Sequence, residues 1–315
     1  MLAAAAWSAT PWSLTAAQVE PPAPLEAPRL LTNLLTRIGV QVDLGRRRAI
    51  FVIDTGAERT SISDQLAQTL ELQPGQPVRV HGITAAELAP TVRLPLLAFA
   101  GRRFANLIVP VFPRGLLAAD GLLGLDALAR FRLTLDYRRR RVSLAPSGLD
   151  SPRFYDTGRN TRIPQVETTA RTDVFQRLFI TRAAVDGINV TAFIDTGAQY
   201  SIGNLALMRA LDAVQGATSR LPVRVYGVIG QSMLVQAGKV GNLRLHRHNL
   251  GETPLLFGDL HAFGVLDLIA RPALLLGADA LTRFNRVILD YGLARVVFEG
   301  LVPPQTLAPS SVRSP

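Results

Sequence analysis

The sequence predicts an all-β protein built from two tandem units, and three observations carry that prediction. Ala49-Ile50-Phe51-Val52-Ile53-Asp54-Thr55-Gly56-Ala57 is matched by Val190-Thr191-Ala192-Phe193-Ile194-Asp195-Thr196-Gly197-Ala198. Further on, Gly121-Leu122-Leu123-Gly124-Leu125-Asp126-Ala127-Leu128-Ala129-Arg130-Phe131 is matched by Leu274-Leu275-Leu276-Gly277-Ala278-Asp279-Ala280-Leu281-Thr282-Arg283-Phe284, so the parts come in one order twice. The segments leading into each Asp alternate apolar and polar residues at period two and turn on glycine, as β-hairpins do. An internal repeat of this kind constrains architecture more firmly than local propensity.

Length agrees with two units: the chain has 315 residues, and a domain takes roughly 150. Hydrophobic residues make up 48% and charged residues 18%, which excludes a disordered, collagen-like or coiled-coil chain. The net charge of +10 comes from 34 basic and 24 acidic residues, with Lys239 the single lysine. The basic excess is therefore arginine, a coding bias. Its two runs, Arg46-Arg47-Arg48 and Arg138-Arg139-Arg140-Arg141, fall at expected turns or strand edges, where charge discourages edge-to-edge pairing. They lack interleaved aromatics, and no nucleic-acid partner is expected. The chain has no cysteine, which excludes disulfides, thiolate zinc sites and a cysteine nucleophile without fixing the compartment.

Residues 1–28 read as a signal-like segment with a Pro-rich spacer: residues 2–17 are apolar and Ala-rich, and Pro21-Pro22-Ala23-Pro24 follows. A basic n-region is missing, so the segment is an unusual signal, a weak anchor giving membrane proximity, or the continuation of a start further upstream. No stretch reaches the roughly 18 apolar residues of a membrane span. The expected location is exported, in the periplasm. The first unit covers 29–147, a linker 148–160, the second unit 161–303 and a tail 304–315. Asp54 to Asp195 is 141 residues and Gly124 to Gly277 is 153, so the second unit carries about 12 extra residues, expected in 238–258 as a longer surface connection.

Each unit opens with a hairpin: residues 38–44, a Gly45 turn and 49–53 in the first, 178–185, the Asp186-Gly187 turn and 190–194 in the second. Asp-Gly suits a two-residue turn because both residues tolerate positive φ. Residues 77–83 and 222–230 read as hairpins with glycine tips that can lie over a cleft. Thr60 and Ser201 each stand six residues after the Asp. After Gly124 and Gly277, Asp126 and Asp279 fall near the N-termini of short helices, where a carboxylate suits free N–H groups. Each unit then runs into a strand ending Leu135-Asp136-Tyr137 or Leu289-Asp290-Tyr291.

The ordered set of Asp-Thr-Gly-Ala after an apolar strand, a Gly-tipped hairpin and Leu-Leu-Gly-x-Asp-x-Leu resembles the retropepsin-like aspartic proteases. It covers roughly residues 30–145 and 165–300. The resemblance implies a two-lobed acid-protease (pepsin/retropepsin-like) fold from two tandem retropepsin-like halves. It further implies a monomer with internal pseudo-two-fold symmetry, similar to bacterial exported enzymes. It makes Asp54 and Asp195 catalytic, gives Thr55 and Thr196 a cross-bonding role, and lets Gly56 and Gly197 approach each other. Substrate would bind under flaps at His81-Gly82 and Tyr226-Gly227. A third tripeptide, Asp156-Thr157-Gly158, is a decoy, following Tyr155 in place of an apolar strand residue and lacking a downstream partner.

The residue types fit the chemistry. Hydrolysis without a metal or covalent nucleophile needs one group to take a proton from water and another to protonate the carbonyl oxygen. Two carboxylates about 3 Å apart share one proton and supply both. No cofactor is implied. Ala57 and Ala198 stand where pepsin-like enzymes place a hydroxyl that lowers the dyad pKa, so the expected optimum is mildly acidic, about pH 5 to 6. The retroviral Arg after the downstream Gly is absent at Leu125 and Ala278, so the halves are braced differently.

The copies differ at Glu58-Arg59 against Gln199-Tyr200 and at His81 against Tyr226, which suggests a two-sided cleft. Tyr226 reads equally as a substrate-supporting flap residue or an exposed hairpin aromatic, and His81 as a loop residue. His246-x-His248 would share a strand face, but with only His81 and His261 besides, no metal site is expected. Three functions remain: an aspartic endopeptidase acting on exported or membrane-protein polypeptides, a non-catalytic peptide-binding module, and a purely structural β unit, which the matching downstream parts disfavour.

Overall fold

The computed structural model describes residues 31–32, 37–147, 180–293 and 295–302. The signal-like segment, the linker with Asp156-Thr157-Gly158, the start of the second unit and the tail lie outside the described residues. A short strand β1 (Leu31–Thr32) precedes β2 (Ile38–Leu44), whose alternation buries Ile38, Val40, Val42 and Leu44 and exposes Gln41 and Asp43. A two-residue turn, with Gly45 at φ +77°, returns the chain along β3 (Arg47–Ile53). Then come β4 (Ser61–Ser63) and helix α1 (Asp64–Thr69), whose cap Ser63 accepts from Leu66 N through its hydroxyl. The first flap is the hairpin of β5 (Pro74–His81) and β6 (Ala86–Phe99). After it follow β7 (Arg102–Phe112), α2 (Arg114–Leu117), β8 (Gly121–Leu123), α3 (Leu125–Leu128), β9 (Phe131–Asp136) and β10 (Arg141–Pro146).

The second half begins with β11 (Ile180–Val185) and β12 (Ile188–Ile194), joined by Asp186 at φ +46° and Gly187 at φ +84°, the backbone expected of an Asp-Gly hairpin turn. It continues through β13 (Ile202–Gly203), α4 (Leu205–Gln215), the flap strands β14 (Leu221–Tyr226) and β15 (Ser232–Val240), then β16 (Leu243–Leu245), β17 (His248–Asn249) and β18 (Thr253–Phe257). Last come α5 (His261–Val265), β19 (Ala273–Leu276), α6 (Ala278–Leu281), β20 (Phe284–Asp290) and β21 (Arg295–Leu301). The chain is all-β in class, with short helices between strands.

The first sheet runs β1-β2-β3-β8-β4-β7-β6-β5 and the second β17-β16-β11-β12-β19-β13-β18-β15-β14. From β2 to β5 and from β11 to β14 the order is the same, strand for strand. Parallel pairing of β3 with β8, and of β12 with β19, brings the end of each Asp-bearing strand beside the Gly-x-Asp segment far along the chain. A third sheet, β10-β9-β20-β21, joins the halves through antiparallel pairing of Leu133 with Leu289. The main core passes through this junction, where Leu133, Leu135, Val287 and Leu289 pack with Val40 and Ile53 of one half and Ile194 and Leu276 of the other. Each such burial is worth about 1.5–3 kcal/mol, so the interface between halves is part of the core. Both arginine runs lie in exposed turns and strand starts, as the sequence suggests.

Strand register corrects the expected site of the second unit's extra residues. Val111 and Phe257 occupy matching places, each paired to the residue before a helix cap, Ser63 or Asn204. Ala86 to Val111 and Ser232 to Phe257 both span 25 residues, so the 238–258 hairpin carries none of the surplus. Val111 to Gly124 is 13 residues and Phe257 to Gly277 is 20, which places seven extra residues around α5. Four more fall between Asp195 and the flap, beside the longer α4, and one in the flap tip. The α5 segment is anchored by Asn204, whose side-chain amide donates to Leu268 O (2.8 Å) and Arg271 O (2.7 Å).

Candidate active site

Each Asp-Thr-Gly begins where an apolar strand ends, and the neighbouring parallel strand fixes the exit. Asp54 N donates to Leu123 O and Asp195 N to Leu276 O, both at 3.0 Å. The chain then folds back on each carboxylate: Asp54 Oδ1 accepts from Gly56 N and Ala57 N (2.9 Å each), and Asp195 Oδ1 from Gly197 N (2.8 Å) and Ala198 N (3.1 Å). One oxygen of each carboxylate is thereby committed to its own loop.

The two loops meet back to back. Thr55 N donates to Thr196 Oγ1 and Thr196 N to Thr55 Oγ1, both at 3.1 Å. Each hydroxyl passes its proton onward to the opposite strand, Thr55 Oγ1 to Ile194 O (3.1 Å) and Thr196 Oγ1 to Ile53 O (2.7 Å). Gly56 and Gly197 are required by proximity: a Cβ on Gly56 would lie 2.5 Å from Asp195 Cγ, and one on Gly197 would overlap the Asp54 carboxylate. The sequence-derived residues Asp54, Thr55, Gly56, Asp195, Thr196 and Gly197 thus come together. Thr196→Val keeps the shape of this cross but orphans Thr55 N and Ile53 O, at about 1–3 kcal/mol for each buried group. A lowered denaturant midpoint, largely restored by Thr196→Ser, is expected; an unchanged midpoint would show that the cross holds nothing.

The downstream repeats clamp these loops. Asp126 Oδ1 accepts from Thr60 N (2.8 Å) and Thr60 Oγ1 (2.7 Å), and Thr60 Oγ1 accepts from Gly124 N (3.2 Å). In the second half Asp279 accepts from Ser201 N (3.0 Å) and Oγ (2.7 Å), and Ser201 Oγ from Gly277 N (3.1 Å). Gly124 and Gly277 press on the backbone of Arg59 and Tyr200, leaving no room for a Cβ. Burial raises the pKa of Asp126 and of Asp279, and the Thr60 and Ser201 bonds oppose it.

Asp54 is pushed up to about 8, first by burial and then by the neighbouring Asp195 charge, against the pull of Arg37 and the Gly56 and Ala57 N–H groups. Asp195 is raised by burial and held back by hydrogen bonds from Gly197, Ala198 and the Asp54 side chain. The two form one coupled system that retains a shared proton near neutrality. Arg37, invisible to sequence reasoning, is 6% exposed; burial lowers its pKa while both carboxylates raise it, and its Nη2 donates to Leu117 O. A lone arginine before an apolar strand gives no signal in sequence.

The flap residues are placed differently. Tyr226 is 68% exposed, on the side of the exposed hairpin aromatic. Gly82 N donates to Ala85 O and Gly227 N to Gln231 O, both at 2.8 Å, which closes the two tips. His81 meets His261 of the other half. His246 lies in a turn at φ +53° and faces Thr181 Oγ1, while His248 Nε2 faces Phe298 O, so the expected shared strand face does not form. Among the described residues no three His, Cys, Asp or Glu gather in a metal-binding group, and no helix is long and apolar enough to cross a membrane.

A model of the aspartyl protease family matches residues 39–127. That span contains the Asp54 loop, the first flap and the Asp126 clamp, and it supports a protease of the aspartic type. No curated protein matches the sequence significantly.

Proposed function

We propose that the chain is an aspartic endopeptidase that brings both carboxylates of its dyad itself, and so acts as a monomer. The observation that carries this reading is the crossed Thr55–Thr196 hydrogen bonding, which sets Asp54 and Asp195 face to face with their inner oxygens tied down. In the reaction, Asp195 takes a proton from a water lying between the carboxylates as that water attacks the scissile carbonyl. Asp54 gives the shared proton to the carbonyl oxygen, and collapse of the tetrahedral adduct, with proton transfer to nitrogen, releases the amine. This chemistry calls for no metal or organic cofactor. The raised dyad keeps its proton through mild acid, which supports an optimum about pH 5 to 6 and a decline above about pH 8.

The matched strand orders support an origin by internal duplication, with the two halves as lobes around the dyad. Substrate is an extended polypeptide lying under the flaps, held by main-chain hydrogen bonds with side chains in alternate pockets. Apolar substrate side chains suit those pockets. The signal-like N-terminus supports limited cleavage of exported or membrane-protein substrates in the periplasm, without nucleic acid. The test is cleavage of an unfolded protein across pH 3 to 8 by the full chain beside Asp195→Asn. Cleavage that disappears in the variant is expected; binding of peptide without cleavage by either would assign a non-catalytic peptide-binding module instead.

A further inference from the structure

We propose that His81 and His261 form an acid-released latch that ties the first flap, and not the second, to the opposite half of the molecule. His81 closes β5, and His261 opens α5, 180 residues later. Their ring planes lie 13° apart with centroids 5.2 Å apart, and His81 Nδ1 lies 3.0 Å from His261 Nε2, so the rings meet edge to edge, nearly coplanar. One residue pair further in, His261 N donates to Ile83 O at 2.8 Å. Ile83 itself packs on the second half's cluster of Phe193, Ile202, Leu260 and Phe263, which also takes Ala198 of the Asp195 loop.

The second flap completes the closure from the other direction. Its Val228 and Ile229 pack on the first half's cluster of Val52, Phe112, Leu117 and Leu122. Gln231 Oε1 accepts from Thr84 N (3.2 Å), and its amide donates to Glu87 Oε1 (2.6 Å). A Cβ on Gly82 would collide with Gln231 and Ile229. The tips are thus crossed, each with apolar side chains seated on the other half. Only the first has an imidazole pair, because Tyr226 stands at the matching register and is 68% exposed. The latch is a product of the α5 insertion, whose counterpart α2 is four residues long and begins at Arg114.

An N···N hydrogen bond needs a proton on one ring nitrogen and a lone pair on the other. Two neutral rings satisfy it, as does one imidazolium beside one imidazole. When both rings are protonated, both nitrogens are donors and two cations meet N–H to N–H across the same contact. Burial lowers the pKa of His81, with the facing His261 and Arg79 acting in the same direction and Glu58 opposing. His81 therefore takes its proton only below the ordinary histidine range of about 6.5, where Asp54 keeps its own. Acid would loosen the first flap, still held by Ile83 and Gln231, while Asp54 beneath it carries its proton. The latch stands on its own geometry; its effect on turnover rests on the peptidase reading.

The test uses the full chain carrying Asp54→Asn, so that neither self-cleavage nor turnover enters. Hydrogen exchange is followed in residues 80–86 and 259–266 and corrected for the intrinsic effect of pH. Between pH 7.5 and 5.0, protection of both segments is expected to fall about tenfold. His261→Phe keeps a ring but neither bonds nor titrates, and should lose about fivefold in protection at pH 7.5 with no further fall at 5.0. His261→Gln can still donate without titrating, and should stay protected at both pH values. In the otherwise unaltered chain, His261→Phe should raise kcat/KM on an unfolded protein at pH 7.5 and leave the pH 5.0 value as it was. Tip protection indifferent to pH and to His261→Phe overturns the latch. Absence of cleavage at every pH overturns the peptidase reading and leaves the exchange result standing.

Discussion

Asp54→Asn is expected to lose peptide cleavage by about 10³-fold or more and, at pH 8, to unfold at a higher temperature than the wild type. Both effects come from the same environment. Asn has neither the acidic proton nor the charge that the dyad needs, so turnover fails. The folded Asp54 carboxyl is raised to about 8 by burial and by Asp195, against about 3.9 in an unfolded chain. Between those values the native state binds more protons than the unfolded state, so the contribution of this group to stability falls as pH rises. It is fully present below about pH 4 and lost as pH passes 8. Asn does not titrate, so the melting temperatures of the two proteins should converge near pH 4 and separate progressively toward pH 8. His246 and His248, lowered by burial, also titrate in this window, but they are common to both proteins and cancel in the difference. Asp195 is coupled to Asp54 and does not cancel; it too ionises more readily once the neighbouring charge is gone, which widens the separation. A wild type that gains on the variant as pH rises would mean that the carboxylates do not crowd each other.

The second large effect is at Gly197. Its φ is not in the left-handed region, so backbone strain is not the issue. The space that a methyl would need is already filled by the Asp54 carboxylate. Gly197→Ala must push that carboxylate out of line or separate the two loops, and the crossed threonine bonds resist the second. Displacing a reacting group by about 1 Å costs on the order of 10²-fold in rate, and overpacking costs about 1–3 kcal/mol of stability. The control is Gly115→Ala, where a Cβ meets nothing within 4 Å and the expected change is within about 0.5 kcal/mol. Activity retained in Gly197→Ala would show that the approach of the loops is unimportant to catalysis.

What could be read from the sequence follows from where the information is local. The alternation of β2, the Asp186-Gly187 turn and the short helices behind Gly124 and Gly277 are each encoded within a few residues, and each forms as expected. The pairings of Thr60 with Asp126 and of Ser201 with Asp279 are long-range; internal repetition marked each of the four residues, but not that they meet. Arg37 and His261 had no such help, because neither occurs twice. Arg37 acquires its meaning only when folding buries it beside two carboxylates, and His261 only when an insertion carries it across to a flap. The surplus was misplaced for a related reason: glycine spacing suggested a longer hairpin, whereas strand register, invisible in one dimension, shows equal hairpins and a longer α5 connection.

The pairing of β9 with β20 has a bearing on how the chain is made. Leu133 finds its partner Leu289 only after more than 150 further residues have been synthesised. Until then β9 has β10 on one side and a bare row of N–H and C=O groups on the other, the kind of edge that recruits strands from other molecules. Joining ends so far apart is slow but adds little closure free energy, which grows only with the logarithm of the loop. Until residues 195–196 are made, a nascent chain holds an Asp54 loop with neither a second carboxylate nor Thr196 to brace it. On the proposed peptidase reading, the chain on the ribosome has no complete catalytic centre until most of its second half has emerged.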